Sequence, residues 1–413
     1  MKKLTLLILF IGCSFLGAMA QPPVEILLKG GHVIDPKNNI DGIMDVALTE
    51  GKIVAVAPNI PVANVEKVIH VKGSYVVPGL IDLHAHNFFG TKAYGYLSNS
   101  FSALPPDGFS FRSGVTTIVD AGGAGWRNFK TFKQQVIDNS KTRVLCFINI
   151  VGAGMKGGAT EQNLPDMDGR LTAMEAKSFP QYIVGVKVAH YQGGEWTPVE
   201  QAVKAGELAN IPVMVDFGGH QPPLSLETLF MEKLRPGDIF THAYAHVNGR
   251  MPVVDENGKL EPFALKAQQR GIIFDVGHGG GSFLFKQAVP AIEQGLKPNT
   301  ISTDLHTGSM NAGMKDITNV MSKFLNMGLT VQEVVAQTTF NPAKVINRPE
   351  LGHLSPEGIA DVAVLKLEKG KFGFVDTKGF RMDGDKKLVC ELTIKAGKVV
   401  WDLNGISSLA WDE

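Results

Sequence analysis

Eight short apolar runs recur along the middle of the chain about every 30 residues, close to the length of one βα unit, and they constrain the fold most. The runs are nearly continuous, as expected for strands buried on both faces of a parallel sheet. Helices fit between them, and Thr330 followed by Glu333 is the capping-box pattern of a helix start. The runs are residues 75–81, 115–119, 144–148, 183–188, 211–215, 238–241, 271–275 and 300–303.

Eight strand–helix units predict an α/β fold of the (β/α)8 TIM-barrel type over residues 75–346, since such barrels typically need about 250 residues. The rival architecture is a doubly wound open sheet. Eight units favour closure, and no Gly-rich phosphate-binding turn follows the first run. In a barrel of this kind the active site lies at the carboxyl ends of the strands.

Two β-rich segments flank the middle of the chain. Residues 21–74 and 347–413 contain short apolar runs bounded by Gly, Asn or Pro, a pattern typical of strands joined by turns. We predict that the two segments pair into one small β-sandwich domain beside the barrel.

The first 20 residues have the pattern of a secretory signal peptide. Lys2 and Lys3 precede an apolar region, and a small-x-small site predicts cleavage after Ala20, hence a periplasmic or secreted protein. A membrane anchor is disfavoured because the apolar run is shorter than the ~20 residues that a spanning helix needs. Lipoprotein-type processing at Cys13 is a further alternative, weakened by the short apolar region before it.

Charge and cysteine content narrow the class of partner. Lys+Arg and Asp+Glu both number 40, so the chain lacks the basic character expected of a nucleic-acid or acidic-membrane binder. Cys146 and Cys390 remain after signal removal, and their apolar surroundings predict buried free thiols. We expect a small-molecule substrate, no nucleic acid, no stable membrane insertion after signal cleavage, and leave open a homo-oligomer.

Two histidines close the first run, at His84 and His86. Side chains alternate along a strand, so the His-x-His spacing directs both imidazoles to one side. Neutral imidazoles are good ligands for divalent transition metals. The plainer interpretation is two loop histidines, but the position at a strand end after Gly79 favours a metal site.

Later runs end in residues that can complete such a site. Lys187 would be costly to bury as a bare cation, so it either points outward or is neutralised, for example by CO2 as a carboxylated lysine. His242 is a candidate ligand or a core histidine. Asp304 can hold a metal and accept a proton from bound water as general base.

Four other residues are candidates for substrate contacts. His278 lies on a Gly-rich loop and is either a substrate or oxyanion donor or a support for the loop. His190 and Tyr191 follow Lys187 and line the pocket or support its ligands. His306 either orients Asp304 or contacts substrate.

The segment 77–86, together with Lys187, His242 and Asp304, resembles the amidohydrolase superfamily over nearly the whole mature chain. Segments 277–283 and 302–306 resemble its dihydroorotase-like deacetylase group. The resemblance implies two divalent metals, expected to be Zn²⁺. One would be held by His84, His86 and Asp304, the other by histidines of strands five and six, with a carboxylated Lys187 and a hydroxide bridging them.

Strand five departs from this family pattern, in which a histidine ends the strand. Here Asp216 occupies that position, and His220 follows four residues later. Either Asp216 is the ligand or His220 reaches in from the loop, and we prefer His220. A carboxylate also binds zinc but changes the charge of the site. A mononuclear centre is the remaining possibility.

The resemblance implies a metal-dependent amidohydrolase or deacetylase that hydrolyses an amide or ester bond, with an N-acyl amino acid or O-acetyl hydroxy acid as substrate, and the signal-peptide pattern predicts that it is secreted. A cyclic amide of the dihydroorotase or hydantoin type is the alternative. Dihydroorotases carry an arginine for the substrate carboxylate after His-x-His, whereas Asn87 follows here. A non-catalytic metal-binding barrel is favoured only by Asp216, and Asp304 and Lys187 count against it.

Overall fold

The computed structural model describes residues 24–89, 102–216, 219–220 and 223–412. The predicted signal peptide, residues 1–20, lies outside these ranges. The strands in the described ranges are β1 (Val24–Asp35), β2 (Ile40–Thr49), β3 (Lys52–Ala57), β4 (Val65–His70), β5 (Tyr75–Pro78), β6 (Leu80–Ala85), β7 (Val115–Gly125), β8 (Arg143–Asn149), β9 (Ile183–Val188), β10 (Val213–Val215), β11 (Ile239–Phe240), β12 (Ile273–Phe274), β13 (Val362–Val375), β14 (Arg381–Lys395) and β15 (Lys398–Asp402).

Helices alternate with the strands in the middle of the chain. The α-helices of the described ranges are α1 (Phe129–Gln135), α2 (Gly169–Ser178), α3 (Thr197–Ala209), α4 (Leu226–Thr228, continued by a π-helical turn Leu229–Lys233), α5 (Pro262–Arg270), α6 (Phe285–Glu293), α7 (Ile317–Asn326), α8 (Val331–Ala336) and α9 (Phe340–Val345). The predicted capping box is present at α8, where Thr330 and Glu333 exchange hydrogen bonds. None of the described helices is long and apolar enough to cross a membrane.

The central sheet is parallel and follows the order β6 to β12 along the chain. Segment 300–305 closes it as the eighth strand, through parallel bridges from Thr300 to Asp275 and from Leu305 to Ala85. The Asp304 amide also donates to the His84 carbonyl at 2.6 Å. The predicted (β/α)8 barrel is confirmed.

The first predicted run, residues 75–81, is divided at Gly79. Its first half, β5, pairs with β13 and β1 in the other sheet, and its second half joins β6, the first barrel strand. A Cβ at Gly79 would collide with the Thr116 side chain, so glycine allows the chain to pass between the two sheets. The first barrel strand therefore begins later than predicted.

The second sheet draws its strands from both ends of the chain, in the order β15-β14-β13-β5-β1-β2-β3, with β4 also paired to β1. Its strands enclose a separate apolar core that includes Leu28, Val46, Ile69, Val364 and Ile394. The predicted β-domain built from both termini is thus present. Cys146 and Cys390 are buried free thiols, also as predicted.

Candidate active site

Three predicted residues converge at the carboxyl ends of the barrel strands. The ligand atoms of His84, His242 and Asp304 all lie within 4.8 Å of one another, and all three residues are buried. His84 lies in β6, His242 follows β11, and Asp304 lies in segment 300–305. The barrel thus brings together residues that are up to 220 positions apart in the chain.

A hydroxyl relay fixes the orientation of His84. The Thr241 hydroxyl donates to Asp275 Oδ2 at 2.8 Å, and His84 Nδ1 lies 2.8 Å from the same hydroxyl oxygen. Since the hydroxyl proton is already engaged, His84 Nδ1 is the donor and Nε2 carries the lone pair. This buttressing is typical of metal-binding histidines. Burial and neighbouring Lys187 hold the pKa of His84 well below its usual range.

His242 is oriented in the same manner by a backbone carbonyl. Its Nδ1 donates to the Gly277 carbonyl at 2.5 Å, so Nε2 carries a lone pair. That atom faces Asp216 Oδ2 at 3.2 Å. A Cβ at Gly277 would collide with Thr241 and crowd His242 Nδ1, so glycine is required for this approach.

Asp304 lies between the two histidines of the His-x-His pair. Its Oδ1 is 2.9 Å from His86 Nε2 and 3.6 Å from His84 Nε2. Burial alone would raise the pKa of Asp304, but His84 and His86 hold it well below its usual range. His86 Nδ1 is buried and has no hydrogen-bond partner in the described part of the chain, so, unlike the Nδ1 atoms of His84 and His242, it meets no described acceptor.

Lys187 points into the barrel and is fully buried, so the outward alternative is excluded in this structure. Its Nζ lies 3.3 Å from His84 Nε2 and 3.8 Å from Asp216 Oδ2. Burial lowers the pKa of Lys187, because desolvation disfavours the ammonium form. A neutral amine in this position is a nucleophile that can react with CO2.

The structure brings Asp216, rather than the preferred His220, to the cluster. Asp216 lies within 4 Å of His242 Nε2 and Lys187 Nζ. His220 is buried, and the Leu224 amide donates to its imidazole at 2.9 Å from Nδ1. Asp216 follows β10 directly and therefore takes the direction of the strand, whereas His220 lies further along the loop.

His190 lies between two carboxylates, those of Glu161 and Asp216. Its Nδ1 is 3.0 Å from Glu161 Oε2, and its Nε2 is 3.4 Å from Asp216 Oδ2. Burial lowers the pKa of His190, but the hydrogen bonds and negative charges of Asp216 and Glu161 outweigh this effect and raise it to about 10. His190 therefore carries a positive charge at neutral pH in this arrangement. Glu161 was not predicted from the sequence, because it belongs to no motif that would single it out.

Three of these residues have left-handed backbone conformations. His242 has φ 57°, Asp304 has φ 50° and His190 has φ 50°. Non-glycine residues rarely adopt this region, and each instance costs about 1–3 kcal/mol. Strain of this kind is concentrated at functional sites, and here it coincides with the converging side chains.

The donor set fits a divalent cation. Lone pairs of His84 Nε2 and His242 Nε2 face carboxylate oxygens of Asp304 and Asp216, so acceptor faces acceptor at 3.2–3.6 Å. Ligand atoms around a tetrahedral ion with ~2.1 Å bonds are separated by ~3.4 Å, which is close to these spacings. A cation at this position would relieve the repulsion between the facing acceptors.

Beside the cluster lies a cavity of about 350 Å³, a size suited to a small molecule. Its wall includes His86, His190, Asp216, Arg250 and His306. A larger cavity of about 490 Å³ lies at the opposite ends of β10–β12. The acid there, Asp238, is paired with Arg235, so chemistry rather than size identifies the site.

Of the other predicted substrate contacts, one lines the cavity and two do not. His306 lines the cavity, with Nε2 3.8 Å from Asp304 Oδ2. His278 is fully buried away from the cavity wall, with Nδ1 donating to the Gly279 carbonyl and Nε2 2.6 Å from Lys323 Nζ. Tyr191 donates to Glu195 at 2.6 Å and is not part of the described wall. The structure therefore places His278 as a support for its loop, which was the alternative interpretation.

Comparison with known proteins agrees with this arrangement. A model of the amidohydrolase family matches residues 285–400. A deacetylase from Brucella anthropi is 35% identical over 340 residues, which are 80% of this chain and 81% of that protein. A crystal structure of an adenine deaminase superposes with a TM-score of 0.82 at 27% identity, covering 92% of this chain and all of the other. A dihydroorotase structure gives 0.79 at 30% identity, covering 91% and 99%.

The likenesses to the deacetylase and to the two solved structures extend over 80–92% of this chain. The converging His84, His242 and Asp304 lie where the strand order of such a barrel places its active site. The chain belongs to the amidohydrolase superfamily, in its dihydroorotase-like deacetylase group.

Proposed function

We propose that this protein is a secreted metal-dependent deacetylase that hydrolyses an amide or ester bond of a small N-acyl amino acid or O-acetyl hydroxy acid. The observation that carries the proposal is the convergence of His84, His242 and Asp304 beside a small-molecule cavity. The deacetylase from Brucella anthropi supports the choice of reaction. The apolar segment before Ala20 supports export.

Two divalent ions, with Zn²⁺ as the first candidate, fit the donors at this site. His84, His86 and Asp304 would hold one ion, and His242 with Asp216 would hold the other. Asp216 replaces His220 in our assignment because of its position in the cluster. Bound metal would lower the pKa of a water ligand and polarise the scissile carbonyl.

Lys187 would bridge the two ions as its CO2 adduct. Full burial and a lowered pKa favour the free amine that CO2 needs for reaction. Carboxylation converts the buried neutral amine into an anion, which offsets the charge of two divalent ions. It would also supply an oxygen ligand to each of them.

The chain's own residues perform the proton transfers. Asp304 takes the proton from the attacking water and delivers it to the leaving group, since its carboxylate is ionised and held at the cluster. Its two histidine neighbours keep the carboxylate ionised, and the Asp304 amide is tied to the His84 carbonyl at 2.6 Å. His306, 3.8 Å from Asp304, lines the path toward the cavity.

A cyclic amidase is the second candidate, favoured by the likeness to a dihydroorotase structure. Both candidates are tested by measuring metal per chain on protein that begins at Gln21, together with a screen of N-acetyl and O-acetyl acids. Dihydroorotate, hydantoin and adenine complete the screen. About two metals with deacetylation supports the proposal, whereas ring opening without deacetylation favours the second candidate. Absence of turnover after restoration of Zn²⁺ or Mn²⁺ contradicts both.

A further inference from the structure

One buried cation in the cavity wall is unused by the proposed chemistry. Arg250 lines the cavity and is only 7% exposed. Within the described part of the chain no carboxylate lies within 4.0 Å of its guanidinium, and its Nε has no hydrogen-bond partner. Buried arginines are ordinarily paired, because an uncompensated buried charge is costly.

Other partly buried arginines of this protein are paired in two ways. Arg143 is 2.6 Å from Asp361. Arg270 and Arg348 instead donate to backbone carbonyls in the described ranges. Arg250 is more deeply buried than these three side chains and, unlike them, lines the cavity beside the cluster.

The contacts of Arg250 hold it in place without neutralising it. Its Nη2 donates to the His242 carbonyl at 3.0 Å, and its guanidinium lies over the Phe240 ring at 4.5 Å from the centroid. Carbonyls and an aromatic face orient the planar group but carry no full negative charge. Nη1 has no hydrogen-bond partner in the described ranges, so the guanidinium keeps a charged donor for a carboxylate.

His190, another nitrogen base beside Asp216 in this wall, is already engaged. Its Nδ1 faces Glu161 and its Nε2 faces Asp216, whereas Arg250 has no carboxylate within 4.0 Å in the described ranges. Arg250 is therefore the residue of the two that is placed to bind an anionic group of a ligand.

We infer that Arg250 is the specificity-determining residue that binds the carboxylate of the acyl-bearing acid proposed above as substrate. This inference rests on the proposed function for the reaction, but the binding site is independent of turnover. The carboxylate would lie on the Arg250 side of the cavity, with the scissile acyl group at the His84, His242 and Asp304 cluster. Arg250 would thereby set the orientation of the substrate.

The test compares the best N-acyl acid from the screen with its neutral primary amide, or N-acetylglycine with N-acetylglycinamide if no substrate emerges. For Arg250→Gln we expect KM for the acid to rise about 100-fold, while KM for the amide changes less than about threefold. Arg250→Lys should give an intermediate value, since it keeps the charge and loses the fork. Arg112→Gln, which removes an exposed arginine, is the matched control.

Calorimetric binding of the same two probes separates this inference from the proposed reaction. Preferential binding of the acid that is lost in Arg250→Gln supports the inference even if no probe is hydrolysed. A wild-type protein that does not prefer the acid overturns it. Equal losses for acid and amide, with a fall in metal content, also overturn it, because they indicate that Arg250 only holds the His242 backbone.

Discussion

Nε2 of His242 and Oδ2 of Asp216 face each other at 3.2 Å, although Nδ1 of the same imidazole already donates to the Gly277 carbonyl. Two acceptors at this distance need a proton or a cation between them. The pair therefore identifies one half of the candidate metal centre. It also allows the role of Asp216, which stands where the family pattern has a histidine, to be tested.

Asp216→Asn should remove one metal equivalent and lower kcat/KM at least 100-fold, because an amide is a poor ligand for a divalent transition metal. Metal analysis after gel filtration measures the first effect and a substrate assay the second. Asp216→His should retain two metals. His220→Asn is the contrasting variant, and if it rather than Asp216→Asn loses metal, our assignment of the ligand is wrong.

Asp304→Asn should lower kcat by about 10²–10⁴-fold, the range expected for loss of a general acid–base group. The amide preserves shape but accepts no proton at neutral pH. Steady-state kinetics with metal in excess measures the change. Turnover that persists with normal metal content would contradict the assigned role and favour a different base.

Thr241→Val should weaken metal affinity about 10–100-fold, as is typical for loss of a group that buttresses a histidine ligand. Valine fills the space but provides no acceptor for His84 Nδ1 and no donor for Asp275. Competition with a chromophoric chelator measures the affinity. Thr241→Ser should behave as the parent does, and a similar loss in both variants would argue against the relay.

Lys323 should make stability depend on pH. Burial lowers the pKa of this lysine from 10.5 to about 7 in the folded state, with Asp376 acting in the opposite direction. Between pH 7 and 10.5 the unfolded chain binds the proton and the folded chain does not, so this contribution to the free energy of unfolding rises with pH. The rise is at most about 1.4 kcal/mol per pH unit.

Lys323→Met removes this titration, so urea unfolding of both proteins at several pH values isolates it. The parent should gain stability relative to Lys323→Met as pH increases from 7 to 10. A constant difference across that range would mean that the lysine titrates normally. The His278 ring, 2.6 Å from Lys323 Nζ, stays neutral throughout because its pKa is held well below its usual range by burial and by the lysine.

Residues that end strands were predictable from the sequence. His84, Lys187 and His242 each close or interrupt an apolar run, and a polar residue at that position of a parallel barrel is directed toward one site. The barrel and the β-domain from both termini were predictable for a similar reason, since apolar periodicity determines which segments must be buried.

Residues that support the site from loops were not predictable. Glu161 and Arg250 lie outside the apolar runs, and only the folded chain brings Glu161 to His190 and Arg250 to the cavity. For His278 the two alternatives stayed open, because a Gly-rich loop after a strand indicates proximity but not the direction of its side chain. Asp216 and His220 were both recognised as candidates, and only the contacts of Asp216 with His242 and Lys187 in the structure distinguish them.

Barrel closure determines whether a molecule has an assembled active site. Segment 300–305 completes the barrel, and the Asp82 carboxylate accepts a hydrogen bond from the Thr303 hydroxyl at 2.5 Å across that seam. Asp304 is the next residue, and its amide is bound to the first barrel strand. Chains that have not joined their first and last strands therefore lack an assembled active site. Partly folded molecules would have no hydrolase activity. The specific activity of a preparation would therefore measure the fraction of molecules whose barrel is closed.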